Sequence, residues 1–220
     1  MNYQVETSVL FECDVPYLSP LSDKTYPWEI LTEIGAIAQR LIIDGICGFT
    51  ELRPGVLIGE NVRIAGTAVI DPPAVIGSFT EIRPGAYIRG NVITGPECVI
   101  GNSSELKNCI LMRHVQAPHY NYVGDSVLGN YSHLGAGAVC SNLKSDGKNV
   151  VIHANGANIE TGMRKVGAFI GDHAEIGCGC VLNPGTVVGK RTSVYPLIPL
   201  RGVYPSDCIV KSQDKTVLRT

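Results

Sequence analysis

Residues Val56–Asn102 read VLIGENVRIAGTAVIDPPAVIGSFTEIRPGAYIRGNVITGPECVIGN, and nearly every sixth residue is isoleucine. Ile58, Ile64, Ile70, Ile76, Ile82, Ile88 and Ile100 share one phase, with Thr94 off-type, and Leu106 and Met112 extend it. Two residues ahead of each stands a mostly smaller side chain: Val56, Val62, Ala68, Ala74, Thr80, Ala86, Val92, Cys98, Ser104 and Ile110. A period of six fits neither the 3.6-residue turn of an α-helix nor the alternation of a long strand. It fits a triangular coil in which each hexad is a short strand and a corner, with the aliphatic pointing inward. Stacked coils bury each aliphatic between its neighbours, about 1.5–3 kcal/mol per fully buried side chain. Gly59, Gly77, Gly101, Gly129, Gly135, Gly171, Gly177 and Gly189 each follow a ladder residue, where glycine relaxes a corner.

Outward from this stretch the ladder shifts by four residues after Met112. It resumes at Tyr122, Leu128, Leu134 and Cys140, then at Ile170, Ile176, Leu182, Val188, Val194 and Leu200. Two interruptions therefore stand out, Arg113–Asn121 and an excursion over about 143–166, LKSDGKNVVIHANGANIETGMRKV. The second is polar and glycine-rich, with a short hairpin expected across VVIHANGANI. Loops that leave a solenoid commonly build its site. At the C-terminus, SDCIVKSQDKTVLR is expected to add a closing strand and a tail.

Residues 1–50 form a separate N-terminal segment, leaving 51–220 for the solenoid. Pro16, Pro20 and Pro27 break the segment's first part. Then Trp28, Ile30, Leu31, Ile34, Ile37, Ala38, Leu41 and Ile42 recur at helical spacing, which predicts an amphipathic helix over about Pro27–Ile43, ended near Gly45. A solenoid needs its terminal rung covered, so the helix is expected to cap the ladder's open end.

The chain has 220 residues, 45% hydrophobic and 17% charged, with 25 Gly, 13 Pro and 6% aromatics, as in a turn-rich all-β globular protein. A net charge of −2 excludes the basic footprint of a nucleic-acid binder, while local Arg and Lys clusters remain free to take small anions. No apolar run is long enough to span a membrane, and the N-terminus lacks the pattern of a secretory signal. The eight cysteines are scattered. Cys178 and Cys180 form a lone CxC with no second thiol pair for zinc, so the expectation is small, largely buried thiols in a reducing cytoplasm.

Chemistry concentrates in Ala117–Lys148, APHYNYVGDSVLGNYSHLGAGAVCSNLKSDGK. Acyl transfer to an amine needs a base near neutral pH, and imidazole is apt. His119 sits in a break of the ladder, where a side chain can leave the packed frame; it could equally hydrogen-bond a turn. Gly135-Ala136-Gly137 offers backbone N–H groups for an oxyanion and close approach for a thioester.

The segment GNSSELKNCILMRHVQAPHYNYVGDSVLGNYSHLGAGAVCSNLKSDGK resembles the acetyltransferase domain of bifunctional UDP-N-acetylglucosamine pyrophosphorylase/glucosamine-1-phosphate acetyltransferases. It is similar above all to the archaeal sugar-1-phosphate nucleotidylyltransferase/acetyltransferase version, within the hexapeptide-repeat acyltransferases. The resemblance covers roughly residues 56–200 and rests on HxxYxGD…GAG…N. It implies a left-handed parallel β-helix, a homotrimer with sites between adjacent subunits, acetyl-CoA as co-substrate and an amino-sugar phosphate as acceptor. By resemblance His119 matches the catalytic base, and Arg83 and Lys107 match cations that hold the sugar phosphate. Tyr122 matches a sugar contact and Asn142 an acceptor-site asparagine. Ala136 matches a backbone contact to acetyl-CoA, Cys178 a serine near the thioester, and Lys148 a further phosphate-binding lysine. One additional hexad between Arg83 and Asn102 makes Arg89 a competitor for the role of Arg83. Arg164 or Lys165 could meet cofactor phosphates. His133 stands where the family has Asn, close to the acceptor nitrogen, which leaves the acceptor sugar open. Residues 1–50 hold none of the glycine-rich phosphate loop of a nucleotidyltransferase, so uridylyl transfer is not expected.

Two other readings compete. His114 and His119 give the HxxxxH spacing of γ-class carbonic anhydrases, but no histidine precedes His114 to supply the earlier zinc ligand. A non-catalytic β-helix module that binds a sugar nucleotide or a partner is the second.

Overall fold

The structure, a computed structural model, describes residues 5–219. It is a left-handed parallel β-helix of triangular cross-section with an N-terminal helical portion. Successive coils contribute one short strand to each of three faces, and the described residues form sheets of nine, nine and seven strands, each nine-stranded sheet ending in one antiparallel strand. The first face runs from Val56–Ile58 through Ala74–Ile76, Val92–Thr94, Cys109–Leu111, Val127–Leu128, Ala168–Ile170 and Thr186–Val188 to Val203–Tyr204. The second face includes Glu81–Ile82, Val99–Asn102, Gln116–His119, His133–Leu134 and Glu175–Ile176. The third comprises Val69–Asp71, Tyr87–Arg89, Glu105–Lys107, Tyr122–Gly124, Val139–Cys140, Val181–Leu182 and Pro199–Leu200.

Inside the triangle the expected isoleucines stack in one apolar column, from Ile70 through Ile76, Ile82, Ile88 and Ile100 to Leu106. Beyond Leu106 the structure corrects the phase. The inward residues are Leu111, Ala117, Val123 and Leu128, while Met112 lies in the outer layer and Tyr122 points outward. The four-residue shift is in fact two separate one-residue shortenings. Coils of 18 residues, such as Glu60 to Ser78, give way to coils of 17, such as Asn121 to Ala138. Leu134 and Cys140 then share a phase with Leu128, as expected.

The glycines also act differently from the expectation. Gly77 and Gly101 do not adopt positive φ; a Cβ on either would overlap the next coil's backbone at Gly95 or Pro118. The left-handed corner conformation falls instead to residues such as Phe79 (φ 60°), His114 (φ 56°), Tyr120 (φ 51°) and Tyr131 (φ 58°).

The N-terminal segment covers a flank of the solenoid rather than its end. Its elements are Thr7–Leu10, two 3-10 turns at Pro16–Leu21 and Pro27–Thr32, and an α-helix at Ile34–Asp44 closed by Gly45 (φ 74°). The predicted single helix is thus split at Glu33. The 3-10 turn places Trp28 and Leu31 on one side, flat against the first face. Leu10, Leu18, Leu21, Trp28, Ile30 and Ile34 pack on the outward residues Leu57, Val75, Ile93, Ile110, Val127 and Phe169. The first-face strands are consequently buried on both sides. Asp172 fastens this layer, accepting the Glu12 N–H at 2.8 Å and lying 3.1 Å from Lys190.

The excursion leaves after Asn142 and returns by a Leu143–Lys165 bridge and a bond from Val166 N–H to Asn142 carbonyl. Its hairpin is Val151–Ala154 and Ala157–Glu160, turned by Asn155 and Gly156 at positive φ, the arrangement Asn-Gly favours. At the C-terminus Cys208–Ser212 joins the second face and Lys215–Leu218 folds back on it as a hairpin rather than a tail. Among the described residues no helix is long and apolar enough to cross a membrane.

Candidate functional site

His119 ends the strand Gln116–His119, at the corner between the second and third faces, and is exposed. Its corner is fixed from inside by Asn121, which is 2% exposed. The Asn121 Oδ1 accepts the His119 N–H at 3.1 Å, and its Nδ2 donates to the carbonyls of Gly135 (2.9 Å) and Ala138 (3.3 Å). The imidazole itself has no hydrogen-bond partner among the described residues.

Ala136 and Cys178 stand beneath His119 on the two following coils, both exposed. Backbone bonds tie this column together, from Gly137 N–H to the His119 carbonyl (3.0 Å) and from Gly179 N–H to the Ala136 carbonyl (2.8 Å). Two of the three amides expected to serve an oxyanion are therefore engaged, since Gly135 N–H bonds the Ile176 carbonyl. Among the described residues the Ala136 N–H makes no backbone hydrogen bond of this kind. Open space beside Gly137, where a Cβ would meet nothing within 4 Å, leaves room for a narrow chain along the column.

Across the third face lies a second group. Asp125, 4% exposed, receives Asn142 Nδ2 at 2.5 Å and Asn108 Nδ2 at 2.8 Å, with Lys107 Nζ at 3.4 Å. Asn142 Nδ2 also reaches the Tyr122 hydroxyl at 3.3 Å. Burial, and then the Asp125 charge, push the Tyr122 phenol above its ordinary value, so it remains a hydrogen-bond donor at neutral pH. Gly124 makes this packing possible: a side chain there would collide with the Tyr122 ring and the Asn142 amide. Lys107, Tyr122 and Asn142 are thus brought together as the sequence suggested. Asp125, the group that organises them, lies in the same YVGDS segment but is not among the residues that the sequence singles out. Asn108 was missed too; its amide also donates to the Leu31 carbonyl at 3.1 Å, joining this cluster to the N-terminal layer.

The remaining candidates are dispersed within the chain. Arg89 occupies the same row of the third face as Lys107 and pairs with Glu105 at 2.6 Å. Arg83 lies around the corner, held by Glu81 at 3.2 Å. His133 is on the second face, its Nδ1 3.0 Å from Glu175. Lys148 is exposed on the excursion, as are Arg164 and Lys165. His114 sits at the opposite end of the Gln116–His119 strand from His119, at another corner, beside Glu97 (3.5 Å) and Tyr131. The HxxxxH pair therefore does not converge. Cys178 and Cys47 are exposed, Cys13 is half-buried, and Cys98, Cys109, Cys140, Cys180 and Cys208 are buried.

A family model described as the GMPPB C-terminal domain matches residues 70–163. A bifunctional sugar-1-phosphate nucleotidylyltransferase/acetyltransferase of Sulfurisphaera tokodaii is 34% identical over 182 residues, covering 77% of this chain and 43% of its own length. A bifunctional protein GlmU of Methanococcus maripaludis is 33% identical over 209 residues, covering 90% of this chain and 48% of its own. An uncharacterized acetyltransferase, YaiX, of Escherichia coli O6:K15:H31 is 32% identical over 170 residues, covering 77% of this chain and 71% of its own. The chain spans about half the length of the two bifunctional relatives.

Proposed function

Because the chain belongs to the hexapeptide-repeat acyltransferases, we propose that it transfers an acetyl group from acetyl-CoA to the amine of an amino-sugar phosphate. The observation that carries this reading is the exposed His119 imidazole, without a hydrogen-bond partner among the described residues and aligned over Ala136 and Cys178. A base without a structural partner, beside a strip open to a thioester, suits amine acylation.

In the proposed reaction His119 accepts a proton from the acceptor amine as its nitrogen attacks the thioester carbonyl. The Ala136 N–H donates to the oxyanion that forms. The C–N bond is made, the C–S bond breaks, and the CoA sulfur leaves with a proton returned by His119. Lys107, Tyr122 and Asn142 hold the acceptor, with Asp125 orienting the lysine and the amide. Arg89 is the cation that stands beside Lys107 in one chain. A homotrimer, implied by the family, lets Arg83 and His133 reach a site from an adjacent subunit. Lys148 then serves the outer phosphate oxygens.

The test is CoA release from acetyl-CoA across a panel of amino-sugar phosphates, with wild type beside His119→Ala. A loss of about 10²–10⁴-fold in turnover is expected for the variant. Equal rates would remove His119 as the base. No release with any acceptor would favour a module that binds a sugar nucleotide without turnover.

A further inference from the structure

The excursion hairpin has two unlike sides. Its register pairs Ile152 with Ile159 and Ala154 with Ala157 on one side, and Val151 with Glu160 and His153 with Asn158 on the other. Ile152 and Ala154 are buried in the outer apolar layer. Strand alternation therefore turns His153, Asn158 and Glu160 the opposite way. There they line a cleft of about 570 Å³, whose other wall is the end of the third face, with Ser141, Asn183 and Arg201. Ser141 and Leu143, the residues on either side of Asn142, also line it, so the cleft begins where the Asp125 cluster ends.

The lining is short of internal partners. Lys144 pairs with Asp146 at 3.3 Å, but Arg201 and Glu160 enter no ion pair among the described residues. Asn158 Oδ1 accepts from His153 Nδ1 at 2.7 Å, and the Asn158 amide hydrogens have no partner among the described residues. Asn183 donates to the Leu200 carbonyl at 2.8 Å through Nδ2 and keeps its Oδ1. A guanidinium and a carboxylate outside any ion pair among the described residues, an amide donor and an amide acceptor thus share a cleft with apolar Val150 and Pro184.

We propose that this cleft takes the nucleoside diphosphate of a nucleotide-linked amino sugar. Arg201 meets a phosphate with its planar fork, Glu160 accepts from the ribose hydroxyls, and Asn158 and Asn183 read the base edge. The volume is in the range of sites that enclose whole small molecules rather than a monosaccharide alone. The direction of the bound sugar, past Asn142 toward His119, rests on the acetyl-transfer reading; the nucleotide site does not. CoA carries a nucleoside diphosphate as well, but the Ala136–Cys178 column lies at the other edge of the third face, which assigns the cleft to the acceptor.

Calorimetric titration of UDP, GDP, ADP, dTDP and CoA into wild type, Arg201→Ala and Glu160→Ala tests this, since both variants alter exposed side chains. At least one nucleoside diphosphate is expected to bind, with affinity falling about tenfold or more in Arg201→Ala while CoA affinity holds. No binding by any of the four diphosphates, or equal affinity in the variants, overturns the proposal. A CoA affinity that falls as far as the nucleotide's gives the cleft to the co-substrate and also overturns it. Turnover separates the two readings. If free amino-sugar 1-phosphates are acetylated as efficiently as their nucleotide-linked forms, the cleft proposal fails and acetyl transfer stands. Nucleotide binding without any turnover does the reverse.

Discussion

Asp125 lies beneath Lys107 with two side-chain amides donating to it, so its charge, not its shape alone, holds the cluster together. Asparagine at this position would keep one acceptor oxygen, set its amide hydrogens against those of either Asn108 or Asn142, and leave Lys107 without its counter-ion. Asp125→Asn is expected to lose about 1–3 kcal/mol of stability, read by urea denaturation. It should also raise KM for the acceptor more than for acetyl-CoA. An unchanged acceptor KM would make Asp125 a purely structural residue. His119, Lys107, Tyr122 and Asn142 are named from the sequence through the resemblance of the ELK and HxxYxGD…GAG…N segments to the acetyltransferase family, and residue type or spacing alone does not mark them. Asp125 closes that motif with no role attached to it, and Asn121 looks like an ordinary turn residue until the next coil covers it. The dispersal of Arg83 and His133 onto the second face was likewise hidden, since a hexad ladder says which residues point outward but not which corner separates them.

Along the coil, one aliphatic in six marks the inward column as far as Leu106. Met112 continues the spacing numerically, yet the coil shortens by one residue and Leu111 turns inward instead. Two adjacent aliphatics, Ile110 and Met112, flank that leucine and find burial under the N-terminal layer, so hydrophobicity alone could not separate the phases. The glycines were read as conformational relief, whereas Gly101 answers to the neighbouring coil: a methyl there would enter the Pro118 carbonyl, one residue from His119. Gly101→Ala must displace that corner. It should lower the thermal midpoint and reduce turnover together, while Gly66→Ala, where a Cβ has open space, should change neither. Equal behaviour of the two variants would show that the corner yields freely.

For the whole molecule, the first face is buried on both sides, and the sequence carried that information in the residues between ladder positions. Leu57, Val75, Ile93, Ile110 and Val127 are aliphatic, while the corresponding places on the third face hold residues such as Arg89, Glu105 and Lys107. That outward apolar row, and not the solenoid's end, is the seat of the amphipathic N-terminal segment. Burial throughout this body also governs the thiols. Desolvation pushes Cys98 and Cys140 up to about 12 from 9.0. In native protein at pH 8 a disulfide reagent should therefore reach Cys47 and Cys178 first, with the buried five reacting only on unfolding. Folded pKa values above the unfolded value mean stability is fully present below about pH 9 and declines as pH rises toward 12, by up to about 1.4 kcal/mol per pH unit for each such thiol. Urea midpoints that stay level from pH 8 to 11 would contradict this.

The proposed base for acetyl transfer is an exposed imidazole at one corner of the β-helix, His119. Chemical rescue tests it most directly, by following CoA release from His119→Ala with acetyl-CoA and an amino-sugar phosphate in buffers of rising imidazole concentration. Turnover is predicted to climb with the concentration of free-base imidazole while wild type stays flat. A variant that turns over as fast as wild type without imidazole, or that folds as wild type yet gains nothing from it, would contradict the account.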